Sequence, residues 1–170
     1  MPATYEPIAT STLGSTSTLV TFSSIPATYT DIFAACQIKR TSGNLFIQIT
    51  VNNDATSLYS FTRLSAYSNS AVGSDRQTGQ ANWQPYYNTA AFINFASFNA
   101  HFMNYANTTT FKSVLFSNAE AGQTTTFTAE RTLTSGLYRS TNAINRIDFT
   151  AGGNSFAIGS TFTLYGIKAA

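Results

Sequence analysis

Apolar and polar residues alternate with a period of two along most of this chain. In "NLFIQITV" at 44–51, Leu45, Ile47, Ile49 and Val51 share one face, with Phe46, Gln48 and Thr50 on the other. Ile32, Ala34, Cys36 and Ile38 alternate in the same way, as do Val20 and Phe22, and Ile147 and Phe149. Phe111, Ser113 and Leu115 give a further alternating set, and Phe127, Ala129 and Leu133 another, interrupted by Arg131. This alternation, rich in Thr, Phe, Tyr and Ile, is the signature of half-buried strands, and no stretch carries a sustained 3.6-residue period. Turn chemistry separates the runs: "SIPAT" at 24–28, "TSGN" at 41–44, "VNNDA" at 51–55, "NYANTTT" at 104–110 and "AGGN" at 151–154.

The pattern predicts eight to ten strands, at roughly 5–13, 18–23, 30–40, 44–51, 57–66, 91–103, 111–117, 125–137, 143–150 and 160–168. Many short strands with regular turns point to an all-β fold, and this number in 170 residues favours a two-sheet β-sandwich of jelly-roll type. The expected organisation is one β-sandwich domain over 1–170 with a long loop at about 68–89. The last strand, in "STFTLYGIK", turns Phe162 and Leu164 to the core and Tyr165 and Ile167 the other way. Apolar residues on both of its faces predict that both are covered, the second by a neighbouring subunit.

From Ser68 to Thr89, "SNSAVGSDRQTGQANWQPYYNT" shows no sustained alternation. A connection this long is usually functional or without fixed structure. It holds the sole tryptophan, Trp83, beside Tyr86 and Tyr87. These three are the candidate interface or ligand-contact residues. Their rings suit stacking on sugars, suit a protein interface, or pin the loop onto its own sandwich.

Composition narrows the functions. Thr, Ser, Asn and Gln make up 66 of the 170 residues, while charged residues are 9%, far below the quarter typical of globular domains. A net charge of +2 gives too weak a field to gather nucleic acid. Lys39 and Arg40 are the only adjacent basic pair, so no nucleic-acid partner is expected. No run approaches the roughly 18 apolar residues of a membrane helix, and "MPATYEPIATST" has neither the basic start nor the apolar core of a signal peptide. A soluble protein made in a reducing cytoplasm, touching other surfaces through hydroxyls and amides, is the expectation.

Candidate chemistry is sparse. His101 is the single histidine, so neither a catalytic triad nor a histidine-based metal site assembles around it, and a hydrogen-bonded structural role is expected. The acids Glu6, Asp31, Asp54, Asp75, Glu120, Glu130 and Asp148 form no local pair of the kind a glycosidase uses. "NND" at 52–54 lacks the spaced acids of a calcium loop and reads as a hairpin turn. Cys36, the lone cysteine, falls on the apolar face of its strand and reads as an inert core thiol. Catalytic residues, metal ligands and cofactors are therefore assigned as none, and the chain is not expected to be an enzyme.

Four stretches carry a family resemblance: "MPATYEPIATSTLGS" at 1–15, "VTFSSIPATYTDI" at 20–32, "HFMNYANTTTFKSVL" at 101–115 and "GGNSFAIGSTFTLYGIKAA" at 152–170. They resemble a group of tailed-bacteriophage virion proteins, especially of phages infecting cyanobacteria and other aquatic bacteria. The stretches span about two-fifths of the chain and carry no catalytic meaning; the segment 68–89 matches nothing in the group. The resemblance implies a structural protein of the virion, made in the host cytoplasm. A fibre shaft would show repeats or heptads, so a compact knob is implied. The favoured expectation is a capsid decoration (cement) protein, a homotrimer at local threefold positions, with the major capsid protein or other virion proteins as partners. The alternative is a receptor- or carbohydrate-binding knob of a tail or head fibre, with a host-surface glycan as ligand.

Overall fold

Each alternating run lies in a strand where it is described, two further strands form where no alternation exists, and the expected strand positions 91–94 and 125–129 lie outside the described residues. In the computed structural model, which describes residues 4–42, 45–66, 72–88, 95–120 and 130–168, the strands are β1 (Tyr5–Thr12), β2 (Leu19–Phe22), β3 (Asp31–Ile38), β4 (Leu45–Val51), β5 (Tyr59–Ala66), β6 (Val72–Gln80), β7 (Trp83–Asn88), β8 (Ala96–Met103), β9 (Lys112–Glu120), β10 (Glu130–Tyr138), β11 (Ile147–Gly152) and β12 (Thr161–Ile167). The described residues contain no helix, hence none long and apolar enough to cross a membrane. For Leu45, Tyr86, Tyr87, Asn88, Glu120 and Glu130 the description is of the backbone alone.

The strands form two antiparallel sheets. The larger runs β1-β12-β3-β8-β9-β10-β5-β6 and the smaller runs β2-β11-β4-β7. Eight of the strands pair as nested partners: β1 with β12, β2 with β11, β3 with β8, and β4 with β7. A long ribbon folded back and wrapped across two sheets in this way is a jelly roll. The remaining four strands extend the larger sheet beyond β8. The fold expectation therefore holds, with twelve described strands in place of eight to ten.

The core lies between the sheets. Ile32, Ala34, Cys36 and Ile38 of β3 meet Ile47, Ile49 and Val51 of β4 across it, with Phe98 and Phe102 of β8 and Phe149 of β11. Phe162 and Leu164 of β12 are fully buried there, as the alternation predicts, while Tyr165 and Ile167 lie half-buried on the outside. Tyr165 is covered from within the chain, by the edge of the Tyr5 ring at 6.4 Å. Next to it Gly166 lets Tyr29 lie flat on the sheet, since a Cβ there would sit 2.3 Å from the ring.

The long loop expected at 68–89 is instead the site of β6 and β7. No residue of β6 is buried, because β6 hangs off β5 past the edge of the smaller sheet and has no layer opposite it. A strand wet on both faces needs no alternation, so period-two reasoning passes over it. Its polar character, with Asp75 and Arg76, also blunts an exposed edge against further pairing.

A second correction concerns phase. Leu115 and Leu133 are exposed, and Lys112, Val114, Phe116, Asn118, Thr132, Thr134 and Tyr138 point inward. Alternation fixes which residues share a face but not which face is buried, and here the aliphatic set of β10 faces out. The "VNNDA" turn is also no hairpin. Asn52 and Asn53 take φ of 55° and 56°, and the Asp54 N–H donates to Val51 O at 2.9 Å, as in a type I′ turn. It carries the chain from β4 in the smaller sheet to β5 in the larger one, not between paired strands.

Candidate functional site

Trp83 opens β7, the edge strand of the smaller sheet, directly beneath the overhanging part of the larger one. Its ring is fully buried and meets Tyr59 at 4.9 Å, Phe116 at 5.6 Å, and Phe102 and Tyr138 at 6.2 Å. The indole N–H donates to Leu137 O at 3.2 Å. Two further bonds hold the same strand: Arg63 Nη1 donates to Gln84 O at 2.8 Å and Thr134 Oγ1 to Pro85 O at 2.9 Å. Arg63 is itself fixed by Asp75, with Nε and Nη2 each 2.7 Å from a carboxylate oxygen. Trp83 therefore pins its own segment into the sandwich, and the interface and sugar-stacking readings are corrected for it: no face of its ring reaches the surface. The tyrosines are placed by backbone only, Tyr86 opposite Ile47 and Tyr87 opposite Phe46.

The surface with binding character is the outer face of the larger sheet. Two rows of residues cross it in register. Phe33, His101, Leu115, Ser135 and Thr62 oppose one another in sequence across β3, β8, β9, β10 and β5. Ala35, Asn99, Ser117, Leu133 and Leu64 form the neighbouring row. Between them runs a groove of about 560 Å³ whose walls include Phe33, Leu64, His101, Leu115, Arg131 and Leu133. Leu64 is 57% exposed, Leu115 49% and Leu133 48%. Two smaller depressions adjoin it, one reaching Arg76 and Leu137 and the other Val72 and Arg131.

At the β3–β8 end of the groove, His101 Nε2 lies 3.0 Å from Asp31 Oδ2, and Asp31 Oδ1 accepts the Asn104 N–H at 2.7 Å. The imidazole is held against the edge of the Phe33 ring at 6.2 Å. This is the hydrogen-bonded role expected of His101. At the opposite end stand Arg131 and Arg76, neither in an ion pair among the described residues.

The carboxylates tell a complementary story, since each of the five whose side chains are described is engaged within the chain. Glu6 takes Lys168 at 2.9 Å, Asp31 takes His101, Asp75 takes Arg63, and Asp148 takes Arg146 and the Thr21 hydroxyl. The Lys168 hydrogen bond holds the Glu6 carboxyl below its usual range, and the Arg63 hydrogen bond does the same for Asp75. Asp54 accepts from Thr56 N and Oγ1 and from the Tyr138 hydroxyl, at 2.6–2.8 Å. Burial pushes its pKa up, but those hydrogen bonds outweigh it and hold the carboxyl low.

No described cluster of three His, Cys, Asp or Glu side chains is placed to hold a metal ion. Cys36 is buried in the core and its thiol pKa is pushed up by desolvation. Lys112 is buried on the inner side of β9, its ammonium donating to Thr110 O at 2.7 Å and Thr141 O at 3.1 Å. It ties the segment after β10 to β9. What the arrangement offers chemically is a broad, nearly neutral aliphatic surface with a fixed imidazole at one end and two guanidinium groups at the other. Alternation alone does not reveal it, because it groups Leu115 and Leu133 with their neighbours without saying which side of the strand is exposed. The readable sign was β9 itself, where "VLF" puts apolar residues on both faces, as in the closing strand. The Asp31–His101 pair spans 70 positions, and no spacing rule finds it.

The fold and this face define a jelly-roll sandwich with one extended sheet whose outer face is aliphatic. No protein-family model matches the chain, and no curated protein matches it.

Proposed function

We propose that the chain is a structural protein of a tailed-bacteriophage virion, a decoration protein that seats the outer face of its larger sheet on the capsid shell. The observation that carries this reading is the exposure of Leu64, Leu115, Leu133 and Leu137 together on that one face. Aliphatic side chains gathered on a nearly uncharged surface mark a contact site. Covering a half-exposed leucine is worth about 1 kcal/mol, and several covered at once make a shell-bound state favourable. The resemblance of the four stretches to virion proteins supplies the context. A homotrimer at local threefold positions remains part of the proposal, its subunits meeting through other surfaces.

The test is to mix the purified chain with phage shells lacking it and pellet them. Saturable co-sedimentation, with a raised melting temperature of the shell, is expected. Failure to pellet with shells, combined with attachment to host cells or tail fibres, would replace this reading by the receptor-binding knob.

A further inference from the structure

We infer that the outer face of β9, β10, β5 and β6 binds a partner protein surface that is both aliphatic and acidic. The inference rests on the decoration reading for the identity of the partner as a shell protein, but not for its chemistry. Leu133 and Leu64 oppose each other directly on β10 and β5, and Leu115 and Val72 flank them, all exposed. Arg131 stands two residues before Leu133 on the same face, and Arg76 sits opposite Thr62 beside Leu137. Between the two arginines the face carries only hydroxyls and aliphatic groups in its described rows.

A purely aliphatic partner would strip water from two guanidinium groups and return nothing, which costs more than the leucines gain. Carboxylates are the acceptors that match a guanidinium in two-point geometry. A second copy offers no unengaged carboxylate among its described side chains. Its Glu6, Asp31, Asp54, Asp75 and Asp148 are all bonded internally. An anionic membrane is also a poorer fit, because surface attraction there comes from clusters of four to eight basic residues, and this face has two. The groove between Leu64, Leu115 and Leu133 suits discrete side chains projecting from a folded surface.

The experiment uses the full chain and three labelled probes: a short alternating Leu–Glu peptide, its Leu–Lys counterpart and a Thr–Glu peptide, followed by fluorescence anisotropy. The Leu–Glu peptide is expected to bind best. Leu133→Ser and Arg131→Glu should each weaken it by about tenfold, a change of one decade in Kd, and Arg76→Glu with Arg131→Glu should shift preference to Leu–Lys. Equal binding of Leu–Glu and Leu–Lys, or binding unchanged by these substitutions, overturns the inference. So does binding to phosphatidylcholine–phosphatidylglycerol vesicles that is lost in Leu133→Ser, or concentration-dependent dimerisation lost in the same variant. If the Leu133→Ser, Arg131→Glu double variant pellets with shells like the wild type, this inference falls while the decoration reading stands. If the wild type ignores shells but keeps the Leu–Glu preference, the decoration reading falls and the chemistry of the face stands.

Discussion

Trp83 lies so close over Gly136 that a Cβ on the glycine would sit 2.8 Å from the indole Nε1 and 2.9 Å from the Phe116 ring. The two sheets meet at this spot without any side chain between the β10 backbone and the tryptophan. Gly136→Ala must push the indole away and break its bond to Leu137 O. Overpacking of this kind costs about 1–3 kcal/mol, and about 2–4 °C of Tm accompanies each kcal/mol at this size. Trp83→Ala, which leaves a large cavity, should cost about 3–5 kcal/mol. Thermal melts of both variants check this; a Gly136→Ala protein melting at the wild-type temperature would mean Trp83 is not seated here.

Neighbouring residues on β9 should respond in opposite ways. Phe116 is buried against Trp83 and Phe98, whereas Leu115 stands on the outer face. Phe116→Ala is expected to cost about 3–5 kcal/mol and Leu115→Ala to stay within about 0.5 kcal/mol. Urea titrations of the two variants measure the contrast. Equal losses would show that the phase of β9 had been assigned to the wrong side.

Acid should weaken the fold partly through Asp54. Its pKa is held low in the folded chain, so its contribution is present above the unfolded carboxylate value of about 3.9 and is lost as pH falls through the folded value. Asp54→Asn should therefore be less stable at neutral pH and show a smaller drop in urea midpoint on acidification. An unchanged drop would remove Asp54 from the acid response.

Alkali should act through Tyr138, whose hydroxyl donates to the same carboxylate. Burial, and then the hydrogen bond to Asp54, push the Tyr138 hydroxyl up to about 12. A raised pKa leaves its stabilisation intact below the unfolded value near 10 and removes it as pH climbs towards 12. Tyr138→Phe should flatten that part of the stability profile, which circular dichroism melts at graded high pH would record.

Deleting residues 160–170 should abolish folded protein. Phe162 and Leu164 are fully buried, and fully burying each is worth about 1.5–3 kcal/mol against a typical total of about 5–15. β12 lies between β3 and β1, so its loss also strips β1 of its described partner. A truncated chain that melts cooperatively near the full-length temperature would refute this.

Much of the sandwich was legible because most core strands lie under a second sheet, where burial enforces alternation. β3 and β12 are read correctly down to the apolar buried set, as are Ile47, Ile49 and Val51 of β4, while on β11 the buried Asp148 between Ile147 and Phe149 falls outside the pattern. Legibility fails where the second layer stops. β6 has no layer opposite it and shows no pattern. β10 has polar Thr132 and Thr134 inside, Thr134 bonded to the β7 backbone, and Leu133 outside, so its hydropathy points the wrong way. Trp83 stands out by rarity, but its three readings, sugar contact, interface or a pin onto the sandwich, separate only when β7 is known to pass beneath β10. The exposed aliphatic face needed the register of five strands brought together from across the chain.

The nested pairing sets an order in time. Glu6 and Lys168 close an ion pair across 162 positions, and at about 5–20 residues per second of synthesis β1 waits roughly 10–30 s for β12 to emerge. The β4–β7 and β3–β8 pairs need no strand beyond β8, so the roll can close from the inside outwards. Of the described strands, β1 is then made earliest and locked in place last. Its sequence, "YEPIATST", suits that wait: a charge, a proline and small hydroxyl residues give a nascent neighbour little to pair with.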